Sequence, residues 1–394
     1  MISRNLRHFR VFLAVADLRR PTVAADRCRV SQPAVTQALA KLEREAGGAL
    51  FERTKQGFFL TRRGDLLRAR INRAMERLDA ALSEVAPRLV LTATSAQLQA
   101  LIAMVEAQNF TLAAHALGLA QPTVHRAVTQ VEQEAARALF ERTSFGMVAT
   151  RPCRTLAQAA RLAFSEFDQA EADLADFDGR DAGRVVVGAL PLSRSIVLPQ
   201  AIARFRSARP NARVTIIDGP YAEMLGGLRR GEIDFILGAL RDPLPIGDVV
   251  QEPLFEDHLS ILARPGHPLT ERPEIPLDVL VDHPWTVPRP GTPSREQFDA
   301  LFAARGMDHP QSIVECGSVL LMRELLLQSD MLGCLSGQQA EAEVRNGLLV
   351  RLATKIEWPG RQIGLTFRKG WVPTSAQNVM LEEVRQAAEK VGPV

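Results

Sequence analysis

Apolar positions near the start of the chain recur with helical spacing, and the same pattern returns further along. Phe9, Phe12 and Ala16 fall at i, i+3 and i+7, and so do Leu98, Leu101 and Val105. Each set predicts an amphipathic helix. A short second helix follows at Val23–Arg29 or Leu112–Leu117, and then a turn leads into a third. From Gln32 to about Glu45 the third helix buries Val35, Leu39 and Leu42 and exposes Gln32, Thr36, Gln37 and Lys41. Ser31 is placed as its N-cap, and Pro33 in the first turn loses little, because first-turn N–H groups have no intrahelical acceptor.

The likeness is a repeat of fixed register. Ser31–Glu43 returns as Ala120–Glu132, and Leu50-Phe51-Glu52-Arg53-Thr54 returns as Leu139-Phe140-Glu141-Arg142-Thr143, at an offset of 89 residues throughout. Gly57, Thr61 and Arg62 match Gly146, Thr150 and Arg151. A polar outer face on the third helix is the layout of a DNA-reading helix. The stretch Gly57–Gly64 predicts a small hairpin, or wing, with arginines beside a phosphate backbone.

Beyond each wing the apolar positions step by 4, 3, 4, 3, 4: Leu67, Ile71, Ala74, Leu78, Ala81 and Val85, then Leu156, Ala160, Ala163, Phe167, Ala170 and Leu174. That heptad spacing predicts a helix that pairs with another. The duplicated unit is therefore a winged helix-turn-helix followed by a dimerisation helix. At 178–183 the helical period stops at a polar, glycine-bearing hinge, and strands then alternate with helices. Arg184–Leu190, Arg213–Asp218 and Ile233–Gly238 read as strands, with helices at about Ser195–Ala208 and Tyr221–Arg230, so an α/β domain with a largely parallel sheet is expected. Further strands are expected at Asp248–Leu254 and Leu259–Arg264. A second set of elements over 285–335 predicts another lobe, with a return to the first through Leu348–Leu352, Ile363–Phe367 and a last helix at about Ala376–Lys390.

Charge separates the two copies. Residues 1–63 hold 13 Lys+Arg and 5 Asp+Glu, net +8, whereas residues 91–151 hold 4 of each. Duplex affinity comes largely from phosphate neutralisation, so the first copy is expected to dominate binding. The second has Ala120 in place of Ser31, a lost cap worth about 1 kcal/mol, and Pro152-Cys153 in place of Arg63-Gly64. Its outer face, Gln121, His125, Arg126 and Gln130, is still polar enough to reach base edges. The chain as a whole, 394 residues with net charge +3, is neither a disordered nor a highly basic DNA-coating sequence. Cys28, Cys153, Cys316 and Cys334 form no C-x-x-C pair, which argues against a disulfide framework or a zinc site. The first apolar run, Val11–Ala16, is shorter than a secretory core, and no stretch approaches a membrane span. A cytoplasmic protein with no membrane contact and no cofactor is expected.

Phe9-x-x-Phe12, Ala24-Ala25, Val30-Ser31-Gln32-Pro33-Ala34-Val35, Leu39-x-x-Leu42-Glu43, Leu50-Phe51-Glu52-Arg53 and Leu60-Thr61-x-x-Gly64 resemble the N-terminal pattern of the LysR-type transcriptional regulators. The resemblance implies a bacterial activator or repressor with a two-lobed, periplasmic-binding-protein-like effector domain, working as a homodimer or homotetramer, with RNA polymerase a candidate partner. The second copy departs from the family plan of one such unit per chain. The expected division is 1–64 (first winged unit), 65–90 (linker helix), 91–153 (second unit), 154–180 (second linker) and 181–394 (effector domain). In that last region, lobe 1 would span about 184–266 and 347–394, and lobe 2 about 267–346.

On this reading Gln32, Thr36 and Gln37 of the Gln32-Pro33 helix reach bases, while Lys41, Arg53, Arg62 and Arg63 hold phosphates. Ligands in open α/β sheets lie outside the carboxyl ends of strands. There stand Ser193, Arg194, Ser195, Arg241, Thr292, Ser294, Gly317 and Ser318, whose hydroxyls, helix-start N–H groups and guanidinium groups suit a carboxylate or a sugar. The Leu190–Ser195 stretch is similar to regulators responding to sugars or small aromatic acids. Three other readings compete. An enzyme finds no nucleophile elbow, phosphate loop or metal spacing among seven histidines. A redox sensor would rest on Cys316 and Cys334, and a solute-binding protein would use the N-terminal units only for assembly.

Overall fold

A computed structural model describes residues 2–144, 146–181 and 183–391. Position 182 of the predicted hinge, and 392–394, lie outside the described residues. The chain divides into two compact units, 1–183 and 184–394.

In the first unit, helices α1 (Leu6–Leu18), α2 (Pro21–Cys28) and α3 (Gln32–Glu45) are followed by the hairpin β1 (Phe51–Thr54) and β2 (Gly57–Leu60) and the long helix α4 (Arg62–Val85). A short α5 (Leu89–Thr92) leads into the second copy: α6 (Ser95–Ala107), α7 (Phe110–Leu117), α8 (Gln121–Ala135), the hairpin β3 (Phe140–Thr143) and β4 (Gly146–Ala149), and α9 (Arg151–Phe177). We call each helix-turn-helix with its hairpin a head. The heads share the bonds that fix their frame. Glu43 accepts the N–H groups of Leu50 and Phe51 at 3.1 and 3.4 Å, and Glu132 those of Leu139 and Phe140 at 2.8 and 3.3 Å. Arg19 and Gln108 both end their helices in the left-handed region, at φ 58° and 52°. Their carbonyls accept from Phe58 and Met147. Glycine is required beside them, because a Cβ on Gly57 would lie 2.6 Å from the Arg19 oxygen and one on Gly146 2.9 Å from that of Gln108.

Both heptad stripes are buried, and they are buried against each other: α4 and α9 pack along their length. Arg63 meets Asp178, Arg70 meets Asp173 and Arg73 meets Glu166, so the number rises on one helix as it falls on the other and the pair is antiparallel. One continuous apolar core runs from Phe9 and Phe12 through this seam to Leu98 and Leu101. Phe9 packs at a tilt against Phe167 across the copies, with ring centroids 4.7 Å apart. The helix pairing expected from the heptads is thus made inside one chain.

The second unit holds two five-stranded sheets. The first has the order β6-β5-β7-β14-β8, built from β5 (Arg184–Ala189), β6 (Arg213–Ile217), β7 (Phe235–Ala239), β8 (Val249–Asp257) and β14 (Arg361–Arg368). The second has the order β11-β10-β12-β9-β13, built from β9 (Leu259–Ala263), β10 (Trp285–Val287), β11 (Ile313–Glu315), β12 (Leu332–Ser336) and β13 (Val350–Arg351). Helices α10 (Val197–Ala208), α11 (Tyr221–Arg230) and α16 (Ser375–Glu389) cover the first sheet. The second carries α12 (Leu277–Val281), α13 (Pro293–Ala303), α14 (Val319–Leu327) and α15 (Gly337–Arg345).

The expected parallel core is present, with β5 pairing parallel to β6 and β7, but β14 and β9 run antiparallel to their neighbours. The lobe borders also shift. The strand β9, expected in the first lobe, pairs with β12 in the second, and β13, expected to return the chain to the first lobe, pairs with β9. The chain therefore crosses between lobes at His258 and returns only at β14. Alternation of apolar residues locates a strand but does not say which sheet accepts it.

Candidate nucleic-acid interface and ligand cleft

On α3 the residues Gln32, Pro33, Thr36 and Gln37 are exposed side by side, opposite buried Val35, Ala38, Leu39 and Leu42. Ser31 caps the helix, its hydroxyl accepting from the Ala34 N–H at 3.4 Å. Lys41 is half-buried, 3.9 Å from Glu45. Arg53 stands on the exposed edge of β1, 3.1 Å from Glu43 and over the Phe58 ring. Arg62 is exposed at the first position of α4.

Arg63 lies elsewhere than expected. The hairpin ends at Leu60 and the helix begins at Arg62, so Arg63 belongs to α4, not to a wing. Its guanidinium donates to the Ala46 carbonyl at 2.6 Å, pairs with Asp178 and lies over Phe177. The hydrogen bond from Arg63 holds the Asp178 carboxyl below its ordinary value, with Arg180 adding to it. These partners hold the mostly enclosed guanidinium against the end of α9 rather than beside the hairpin. Thr61 and Gly64 explain the early helix start: Thr61 caps it by accepting from the Gly64 N–H at 3.0 Å.

On α8 the residues Gln121, His125, Arg126 and Gln130 share one exposed, concave face with Thr129 and Gln133. His125 packs at a tilt against Phe110, ring centroids 5.0 Å apart. Arg142 and Arg151 are exposed where the first head has Arg53 and Arg62.

Sequence reasoning missed the polar knot inside the seam. Arg70 is almost wholly buried, and its guanidinium donates to Asp173 at 2.7 Å, to Gln169 at 2.6 Å and to Glu166 at 3.3 Å, while Arg73 also reaches Glu166. Burial pushes the Asp173 carboxyl up, opposed by Arg70 and Arg73. The signal available was Arg70 itself, next to the heptad residue Ile71.

In the second unit the predicted ligand residues scatter. Ser193 is buried in a 3-10 turn, Pro191–Arg194, and its hydroxyl donates to the Leu190 carbonyl. Arg194 pairs with Asp218 at 2.8 Å, and Ser195 follows the turn, before the helix start at Val197. Thr292 and Ser318 are N-caps of α13 and α14, accepting from the Arg295 and Leu321 N–H groups. Gly317 lies beside the Arg289 side chain.

Three groups do converge. Arg361 of β14 is buried, pairs with Asp257 and donates to Ser294 of the other lobe, yet its Nε has no hydrogen-bond partner among the described residues. Arg241 lies 4.4 Å over the Tyr221 ring, and its Nη1 and the Tyr221 hydroxyl are likewise buried without partners. Burial lowers the Arg241 pKa; Tyr221 and Glu296 act against this, and Arg361 reinforces it. Buried donors left unmade cost about 1–3 kcal/mol each, so this cluster is poised for an acceptor. Of the cysteines behind the redox reading, Cys334 lies wholly in the core with its thiol pushed up to about 12, and Cys316 is buried beside Ser318. No group of potential metal ligands occurs among the described residues, and no helix among them is long and apolar enough to cross a membrane.

Two winged helix-turn-helix units joined to a two-lobed α/β domain define a DNA-binding regulator that senses a small molecule. Comparison with known proteins agrees. The profile of the LysR substrate binding domain matches residues 178–389, and that of the bacterial regulatory helix-turn-helix protein, lysR family, matches twice, at 6–65 and 95–154. The chain belongs to the LysR family of transcriptional regulators, which bind DNA and small-molecule effectors, form oligomers and are not enzymes. It is 35% identical over 97% of both chains to the HTH-type transcriptional regulator GalR of Pseudomonas putida, and 28% identical to YdcI of Escherichia coli over 71% of this chain and 92% of that one. A full-length OxyR variant from Pseudomonas aeruginosa shares the fold at TM-score 0.53 and 22% identity, covering 74% of this chain and 97% of its own. ArgP from Mycobacterium tuberculosis does so at TM-score 0.56 and 16% identity, covering 75% and 97%. The quarter of this chain left unmatched is about the size of one repeat.

Proposed function

We propose that this regulator works in the cytoplasm, reads its operator with the first head and responds to a small carboxylate held between the lobes of its second unit. Gln32, Thr36 and Gln37 reach base edges from α3, with Pro33 setting the helix start, while Lys41, Arg53 and Arg62 hold phosphates. RNA polymerase is its partner in activation. The reading of the effector as an anion rests on the convergence of Tyr221, Arg241 and Arg361 with unused donors. Charge-assisted bonds from guanidinium groups to a carboxylate are about twice as strong as neutral ones, which favours an acid over a sugar. An effector that touched Arg241 and Arg361 of the first lobe together with Ser294 of the second would favour one lobe closure over another, the differential affinity a switch needs.

Thermal unfolding of the full chain with a panel of small monocarboxylates and neutral sugars tests this. At 100-fold excess over Kd a ligand stabilises by about 2.7 kcal/mol. Stabilisation by at least one acid, abolished in Arg241→Ala, is expected; stabilisation by a sugar, unchanged in Arg241→Ala, would replace the carboxylate with a neutral effector.

A further inference from the structure

The seam between α4 and α9 is chemically one-sided. α4 contributes Arg63, Arg70 and Arg73, and α9 answers with Asp178, Asp173, Gln169 and Glu166. The offset of 89 shows what any other pairing would put there. Two α4 helices in the same register would set Arg77, Ala80 and Leu89 where Glu166, Gln169 and Asp178 now stand, leaving only Glu84 in the place of Asp173. Arg70 and Arg73 would then face an arginine. Two α9 helices would set Pro152, Ala159 and Leu162 opposite the acids, burying Glu166 and Asp173 with no base. A buried charge without its partner costs about 3–5 kcal/mol. The unlike pair is therefore selected over both like pairs. The link from α4 through α5 to α6 is short, and Arg4 of the first head accepts a hydrogen bond from Ser95 of the second and pairs with Asp168 of α9. All of this joins the two heads within one chain.

The second head so clamped keeps the parts of a reader. Arg142 and Arg151 stand at the positions of Arg53 and Arg62, and α8 presents its outer face as α3 does. What changes is the lettering of that face: Thr36 becomes His125, Gln37 becomes Arg126 and Lys41 becomes Gln130. Glutamine suits an adenine edge in the major groove, whereas arginine suits the O6 and N7 of guanine.

We propose that the two heads of a single chain form one reader of a bipartite duplex site with unlike half-sites, the first read by α3 and the second, containing a G·C pair, by Arg126 on α8. This rests on the reading of the first head as DNA-binding. One chain thus supplies both halves of a reading pair.

Selection of a random-sequence duplex library by the full chain tests it. Two unlike sequence blocks at fixed spacing are expected. Arg126→Ala, an exposed substitution that leaves the fold intact, should erase the G·C preference in one block only and weaken binding about 5- to 150-fold. Enrichment of copies of one block alone, unaffected by Arg126→Ala, would overturn the proposal while leaving the first head a reader. No enrichment by the wild type would overturn that underlying reading too. Mixing separates one chain from two: Gln37→Ala chains combined with Arg126→Ala chains should bind a two-block duplex no better than either alone. Recovery of wild-type binding by the mixture would show that the two blocks are read by different chains.

Discussion

The first head carries most of its basic residues on its outer surface, and the second has exchanged most of them for neutral ones while keeping the main bonds of its frame and losing two side-chain caps, those of Ser31 and Thr61. Glu43 and Glu132 hold the same two backbone N–H groups, Gly57 and Gly146 admit the same carbonyl, and Arg19 and Gln108 turn the chain at the same angle. This glutamate and this glycine, which satisfy buried backbone groups or avoid a clash, recur in both heads because substituting them has a physical cost. Surface charge is free to drift. The acids of the second copy, meanwhile, gather on α9, where Glu166 and Asp173 receive the guanidinium of Arg70. Duplication here has turned two like units into a complementary pair.

The comparison breaks most sharply at Arg70. Arg70→Ala leaves Glu166 and Asp173 buried without their main partner, and a loss of about 3–5 kcal/mol in urea unfolding is expected. Its pH dependence follows from Asp173. Burial already raises this carboxyl above its unfolded value, and Arg70 opposes the rise through its charge and its hydrogen bond. A raised folded pKa means that the folded state binds the proton more tightly, so ionised Asp173 costs stability at neutral pH, and the cost fades as pH falls toward the carboxylate range. Without Arg70 the carboxyl titrates higher still. The deficit of Arg70→Ala against wild type is therefore expected to be larger at pH 7.5 than at pH 5. An equal deficit at both would mean that the acids are not what Arg70 serves.

Much of this is legible in the sequence, and the misses share a cause. The offset of 89, the recognition faces and the heptad stripes all follow from residue spacing, and spacing is local. Which helix answers a heptad stripe is not local, so the pairing of α4 with α9 of its own chain emerges only in three dimensions. Arg62-Arg63-Gly64 follows a turn-like stretch and so suggests a wing at Arg63, whereas Thr61 caps a helix there. The serines and threonines near strand ends are mostly caps or turn residues, since a hydroxyl at a helix start satisfies a backbone N–H as readily as a ligand. Arg241 does stand in the buried cluster with Tyr221 and Arg361. Arg361 itself escapes a sequence reading, because nothing in a strand sequence marks which guanidinium will be buried between lobes.

A finer comparison concerns phosphates. Arg62 and Arg151 occupy matching exposed positions at the starts of α4 and α9. Replacing either by alanine should weaken binding to a two-block duplex across all sequences and lower the slope of log affinity against log salt by about 1. A lowered slope for Arg62→Ala with an unchanged one for Arg151→Ala would restrict backbone contact to the first head and leave the second to touch bases alone.

The smallest expected difference lies at the two caps. Ser31→Ala removes the hydroxyl that accepts from the Ala34 N–H and should cost about 0.5–1 kcal/mol in thermal or urea unfolding. The reverse change, Ala120→Ser, should return less than that. Ala120 has nearly the backbone angles of Ser31, φ −74° and ψ 140° against −75° and 153°, so a serine there is set up to cap. Yet the second head has already adapted. The Thr123 N–H donates to the Ala120 carbonyl at 2.9 Å, and the bond from Val124 to the same carbonyl has lengthened to 3.4 Å, against 3.1 Å for Val35 to Ser31. The first turn of α8 has tightened to satisfy the group that Ser31 satisfies in α3, and a new hydroxyl would compete with a carbonyl rather than fill a vacancy. A gain in Ala120→Ser equal to the loss in Ser31→Ala would mean that this tightening carries no stability of its own.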